Sequence, residues 1–222
     1  MNWESSKNLG GIGAILMFIG LIPVPGTQPF LGIIAIIGFI LVLIALHGFA
    51  NYYKESGIFS NALYSFIAGI VGIAVAGVSI FYIIFDTTIL TNLLYKIYPG
   101  WNGNWSSLAG LTPTTTNITF SDVAPIIGAI LVVLVVLWIF TIVAAFFARR
   151  SLKALSVKAS VGLFSTAALL LIIGAVLTIV LIGLLLMWIA VLLIAIAFFQ
   201  IKPQPEQPVA TMAPPPSTPT PV

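Results

Sequence analysis

The groups that could carry acid–base chemistry in this chain are few and scattered. Of 222 residues, five are carboxylates (Glu4, Glu55, Asp86, Asp122 and Glu206), one is a histidine, His47, and none is a cysteine. Hydrolysis or group transfer needs a nucleophile beside a base, or paired carboxylates. These acids fall at the edges of apolar stretches or in tails, and assemble no such constellation. The lack of cysteine removes disulfides, thiol catalysis, zinc–thiolate sites and iron–sulfur clusters. One histidine removes every multi-histidine metal or haem scheme. His47 lies about one turn inside the end of an apolar stretch, where a lone histidine reads as an interfacial hydrogen-bonder rather than a site. The expectation is a chain that is not an enzyme and needs no cofactor or metal.

The elements that would position any site are apolar almost throughout. Hydrophobic residues make up 60% of the chain and charged ones 6%, against about 25% charged in an average soluble domain. Eight basic and five acidic residues give a net charge of +3, too little for a nucleic-acid footprint. A bilayer core of about 30 Å needs about 20 apolar residues per helix. Candidate spans cover about residues 9–24, 30–50, 58–85 and 123–148, followed by one long apolar block, 159–199. As a single helix that block would extend about 61 Å, so it must be two helices, 159–178 and 183–201, turning within Thr178–Gly183. The start of the chain lacks the basic region and cleavage site of a secretory signal, so the first stretch reads as a retained helix. The fold class is therefore all-α: a polytopic transmembrane helical bundle of six helices over residues 1–202, with one outer loop, 86–122. The prolines of residues 203–222 preclude helix or packed core and predict a disordered, cytoplasmic Pro-rich tail.

Orientation follows from the basic residues. With six spans, Lys7, Lys54, Arg149, Arg150, Lys153, Lys158 and Lys202 share one side and Lys96 alone lies on the other. That bias puts both termini in the cytoplasm. The sequons Asn104-Trp105-Ser106 and Asn117-Ile118-Thr119 fall in the loop placed outside, and make Asn104 and Asn117 candidate glycosylation acceptors.

Three kinds of surface could bind something. Ser65, Gly69, Gly72, Ala76 and Ser79 form a small-residue face on the third helix, and Gly10, Gly13, Met17 and Gly20 a shorter one on the first. Such faces let backbones approach closely, either within the bundle or between subunits. Thr87–Tyr98 sets Leu90, Leu93, Leu94, Ile97 and Tyr98 along one helical face, suited to the outer headgroup plane, with Trp101 and Trp105 as anchors. Arg149, Arg150, Lys153 and Lys158 make a basic connector able to attract anionic headgroups. No charge falls near a bilayer midplane, where ion-coupled carriers and voltage sensors keep theirs. A weak internal likeness pairs Ala14–Gly20 with Ala168–Gly174 and Leu41–Ala45 with Val191–Ala195, as if one hairpin were repeated.

Ser5-Ser6-Lys7-Asn8-Leu9-Gly10-Gly11-Ile12-Gly13, then Asn51-Tyr52-Tyr53-Lys54-Glu55 leading to Ile58-Phe59-Ser60-Asn61-Ala62-Leu63, and the ending Ala195–Lys202 together resemble the domain-of-unknown-function family 996. The resemblance implies an integral membrane protein of archaeal or bacterial type, and an archaeal plasma membrane. It supplies no functional residues. Expected partners are membrane lipids and other membrane-protein subunits or further copies of the chain, and no nucleic acid. The function expected is a non-enzymatic structural or accessory subunit of a membrane complex. The alternative is a channel or transporter for a small neutral solute, with Ser65, Ser79, Thr141 and Thr178 along its path.

Overall fold

The computed structural model of the protein describes residues 2–22, 28–85, 87–114 and 118–203. Among them no strand occurs. The helices are α1 (Trp3–Gly20), α2 (Gln28–Tyr52), α3 (Ser56–Phe85), α4 (Thr87–Ile97), α5 (Phe120–Ala159), α6 (Gly162–Leu177) and α7 (Ile182–Gln200), with short 3-10 turns at Trp105–Gly110 and Thr178–Val180. Five of them, α2, α3, α5, α6 with its 3-10 extension, and α7, are long and apolar enough to cross a membrane. α1 is shorter and carries Glu4 and Lys7 in its opening turns.

The long helices pack as three antiparallel hairpins, α1–α2, α3–α5 and α6–α7, joined edge to edge through α2–α3, α5–α6 and α7–α1. The result is a closed ring. Two of its seams bring backbone against backbone at glycine. A methyl on Gly13 would meet the Gly38 carbonyl oxygen at 2.6 Å, and one on Gly20 would meet the Ala35 nitrogen at 2.5 Å. Gly174 and Gly183 similarly bring α6 against α7. Close backbone approach gains dispersion contacts where lipid supplies no hydrophobic drive between helices. α7 meets α1 through Trp188, whose ring stacks on Phe18 at 4.3 Å and whose Nε1–H donates to the Phe18 carbonyl at 3.0 Å. α2 and α3 share the smallest seam of the ring, bridged by the aromatic pairs Phe39–Phe66 and His47–Phe59.

The tightest packing lies at the end where α1 begins and α7 stops. Phe49, Phe164 and Phe198 are fully buried there, with Ile58, Leu155 and Ile201 around them. Ser151 donates to the Ile58 carbonyl at 2.6 Å and ties α5 to the start of α3. Tyr53 is buried in the same cluster without a hydrogen-bond partner for its hydroxyl. Burial first, then the neighbouring Tyr52, pushes its phenol up to about 12, so it stays neutral at physiological pH.

Helix bounds differ from the sequence expectation in two places. α1 begins at Trp3 rather than residue 9, because the Asn2 side chain accepts from the Ser5 amide at 2.9 Å and Ser6 is buried. Leu21 and Ile22 already lie beyond the helix, and residues 23–24, the rest of the expected span, lie outside the described residues. α5 begins at Phe120, where Asp122 accepts from the Thr119 amide at 2.9 Å, and it runs 40 residues to Ala159. The basic connector is thus the last turns of a helix, not a loop. Its sequence is rich in helix formers, and Ser151, Leu152, Leu155 and Ser156 are buried along one face while Arg150 and Lys153 are exposed. The helix stops where Ser160 adopts a left-handed backbone (φ 55°) and the Ser156 hydroxyl donates to the Val161 carbonyl at 2.9 Å. The segment read as an outer loop, 86–122, contains α4, where the sequence sets a helical face over Thr87–Tyr98, and a 3-10 turn. Residues 204–222, the proline-rich tail, lie outside the described residues.

Candidate functional site

The ring lines an open cavity of about 340 Å³ to which all six long helices contribute. Met17 comes from α1, Phe39 from α2, Gly69 from α3, Phe140 from α5, Leu171 from α6 and Met187 from α7. None of the lining residues is titratable. Its hydroxyls belong to Ser65, Thr141 and Ser151, and two of these are committed to the backbone. Thr141 donates to the Leu137 carbonyl at 2.8 Å and Ser151 to that of Ile58. A hydroxyl already donating to a backbone carbonyl leaves little donor capacity for a guest. The chamber can therefore take an apolar molecule or hydrocarbon chain, and it offers no acid, base or anchored charge. Among the described residues no group of three metal-ligating side chains occurs.

The small-residue face of α3 divides between two tasks. A methyl on Gly72 would meet the Phe140 side chain at 2.7 Å, so Gly72 and the buried Ala76 lie against neighbouring helix surface. Ser65, Gly69 and Gly72 itself line the chamber, and nothing lies within 4 Å of a methyl at Gly69. Ser79 donates to the Val75 carbonyl of its own helix at 2.8 Å. Gly10 and Gly13 of α1 lie against Phe198 and Gly38 respectively. The chamber residues of α2 and α7 carry no signal in sequence, since an apolar side chain reads alike whether it faces lipid or a cavity.

His47 is exposed near the end of α2, its Nε2 lies 3.2 Å from the Asn51 amide nitrogen, and its ring meets Phe59 edge-on at 4.7 Å. It does not line the chamber. Thr178 does not either; it donates to the Gly174 carbonyl at 2.8 Å.

At the opposite end from the start of α1 a small folded segment surrounds Trp101, which is buried between Tyr95 and Trp105 and donates from Nε1 to the Asn104 carbonyl at 2.7 Å. The Asn104 side chain accepts from both the amide and the hydroxyl of Ser106, at 3.2 and 2.9 Å. Asn104 is exposed, and Asn117 lies outside the described residues. Leu90, Leu93, Leu94, Ile97 and Tyr98 of the α4 segment are half-buried while Asn92 and Lys96 are exposed. Lys96 pairs with Asp122 at 2.5 Å and pins this segment to the start of α5.

The family model described as a protein of unknown function, DUF996, matches residues 34–192. The chain belongs to that family. The matched residues run from α2 into α7 and include Asn51–Leu63, whereas the two flanking stretches that also resemble the family lie outside them. The chain is also similar to an uncharacterized protein of Methanocaldococcus jannaschii, 24% identical over 201 residues that cover 90% of this chain and 94% of the relative. No solved structure matches. This is a multi-pass membrane protein of a family without assigned activity.

Proposed function

We propose that the protein is a non-enzymatic structural or accessory component of the cell membrane, with six spans and both termini cytoplasmic. One observation carries this reading: the chamber to which all six long helices contribute is lined without a titratable side chain. Acid–base or ion-coupled work in a membrane needs ionisable groups at such a place. A hydrocarbon guest, from lipid or from a partner helix, suits the lining better than a polar one. α1 makes the sixth span in this reading, with Glu4 and Lys7 at the headgroups, and Asn104 is an outward glycan acceptor. The exposed outer faces of α2, α3 and α5, with Ile36, Ile73 and Val132 among their side chains, meet lipid and leave room for partner subunits or a second copy.

A passage for small neutral solutes gains less support, because Thr141, Ser79 and Thr178 all bond to carbonyls of their own helices. Filling the chamber separates the two readings. Gly69→Leu places its side chain in open space. In proteoliposomes the wild type should pass neither glycerol nor urea, and the variant should fold with unchanged or raised thermal stability. Solute flux that Gly69→Leu abolishes would establish the passage and reject the structural role. Voltage-dependent current through the purified protein would reject both.

A further inference from the structure

Arg149 and Lys153 project from α5 one turn apart, at the level where its apolar stretch ends. Across a cleft of about 240 Å³ they face Ser165 and Thr166 of α6, with Ala168 and Leu169 completing the lining. All four polar side chains are exposed. The ion pairs among the described residues are Lys96–Asp122 and Lys158–Glu55, and neither engages this cleft. Two cations and two hydroxyls from adjacent helices, with no carboxylate among the residues that line the cleft, form a receptor for a tetrahedral anion. A guanidinium binds phosphate oxygens in a fork, an ammonium adds a point charge, and the Ser165 hydroxyl donates to a remaining oxygen, while that of Thr166 must first release the Gly162 carbonyl of its own helix, 3.5 Å away.

What lies next to this cluster selects the source of the anion. The positions Trp138, Ile142, Ala145, Arg149 and Lys153 recur at helical spacing on α5. Trp138, about 16 Å along the helix from Arg149, donates from Nε1 to the Val176 carbonyl of α6 at 3.1 Å. On α6, Leu169, Ile173 and Val176 are exposed below the two hydroxyls. A polar head site thus continues into an apolar seam between the same two helices, as basic clefts between membrane helices do when they hold anionic lipid. A free phosphate ion would use the cluster and leave the seam unused.

We propose that the α5–α6 cleft at Arg149, Lys153, Ser165 and Thr166 binds the phosphate headgroup of an anionic membrane lipid, with a hydrocarbon chain along the seam toward Trp138. The test uses the full-length protein in mild detergent, offered vesicle lipid containing equal phosphatidylglycerol and phosphatidylcholine, with retained lipid counted by native mass spectrometry. Wild type should retain phosphatidylglycerol preferentially. Arg149→Gln and Lys153→Gln should each lower that retention about fivefold, and Lys96→Gln, at the other end of the bundle, should not. Ser165→Ala with Thr166→Val keeps the charge and should lower retention by a smaller factor, which preserves the test if the charge variants do not fold. Trp138→Ala should weaken lipid retention without changing the effect of inorganic phosphate. Equal retention of the two lipids, or retention unchanged in folded charge variants, would overturn the proposal. Displacement of the lipid by millimolar inorganic phosphate, with the seam variant indifferent, would instead assign the cleft to the free ion and reject the lipid.

Discussion

Gly38→Ala should destabilise the bundle although it adds a single methyl group. That methyl would lie 2.5 Å from the Gly13 carbonyl oxygen and 2.6 Å from the Met17 nitrogen, both backbone atoms of α1 that no rotamer change can move. Ordinary contact begins at 3.4 Å, so α1 must recede by about 0.9 Å. A gap of that size forfeits a quarter to a half of each dispersion contact along the seam. Overpacking of this kind costs about 1–3 kcal/mol. Gly69→Ala is the matched control, because the same methyl there meets nothing within 4 Å. Ala is the better helix former by about 1 kcal/mol in water. Membrane helices persist when their packing is lost, so that gain shrinks, and the control should change stability by about 0–1 kcal/mol in the favourable direction. Thermal unfolding in detergent, read as loss of the monodisperse peak in size-exclusion chromatography, should separate the two variants by several degrees. Equal midpoints would refute the claim that α1 and α2 touch backbone to backbone.

Gly72→Leu should likewise lower the unfolding midpoint by pressing on Phe140, whereas Ile73→Leu, at a position 71% exposed, should be close to neutral in the same assay. Ser151→Ala removes the buried bond to the Ile58 carbonyl and should cost about 1–2 kcal/mol, with Ser60→Ala, whose exposed hydroxyl bonds within its own helix, costing much less. Single cysteines at Ser56, Val157 and Ser217 should react with an impermeant maleimide only from the cytoplasmic side, and those at Asn102 and Thr112 only from outside; outside labelling at Ser217 would replace six spans with five. Val157 is used because Ser156, its neighbour, is buried and bonded.

The membrane-crossing stretches were legible because hydropathy is a direct statement about solvent. α2, α3 and the break at Thr178–Val180 follow from lengths that a bilayer imposes, and the last apolar block indeed turns within Thr178–Gly183. Termini of helices were less legible. Arg149–Lys158 reads as a loop by charge, yet its alternation of buried Leu152 and Leu155 with exposed Lys153 and Val157 is a helical period that was present in the sequence. Likewise Asn2, three residues ahead of Ser5, is a cap signal that places the start of α1 before its polar residues. The chamber was not legible at all. Small residues on α3 announce close approach, but only the neighbours decide that Gly72 meets Phe140 while Gly69 meets empty space. The α5–α6 anion cleft also needs the fold, since 12 residues separate Lys153 from Ser165 and only the antiparallel turn brings them together.

The turn between α6 and α7 has a consequence for the bilayer itself. Its residues Ile179, Val180, Leu181 and Ile182 are all exposed and all apolar, Leu181 is 72% exposed with a left-handed backbone, and the Thr178 hydroxyl is already bonded inward. α6 with its 3-10 extension and α7 have 19 residues each, about 29 Å of helix, against a hydrocarbon layer of about 30 Å. The tip therefore has side chains that belong in lipid and turn carbonyls that require water. Both needs are met if the leaflet on that side dips toward the tip of this hairpin. α3 and α5, with 30 and 40 residues, impose no such dip. The protein should therefore sit tilted in a uniform bilayer and gather where the membrane is thin, and a second molecule sharing the same depression would be drawn to it without any contact between the two proteins.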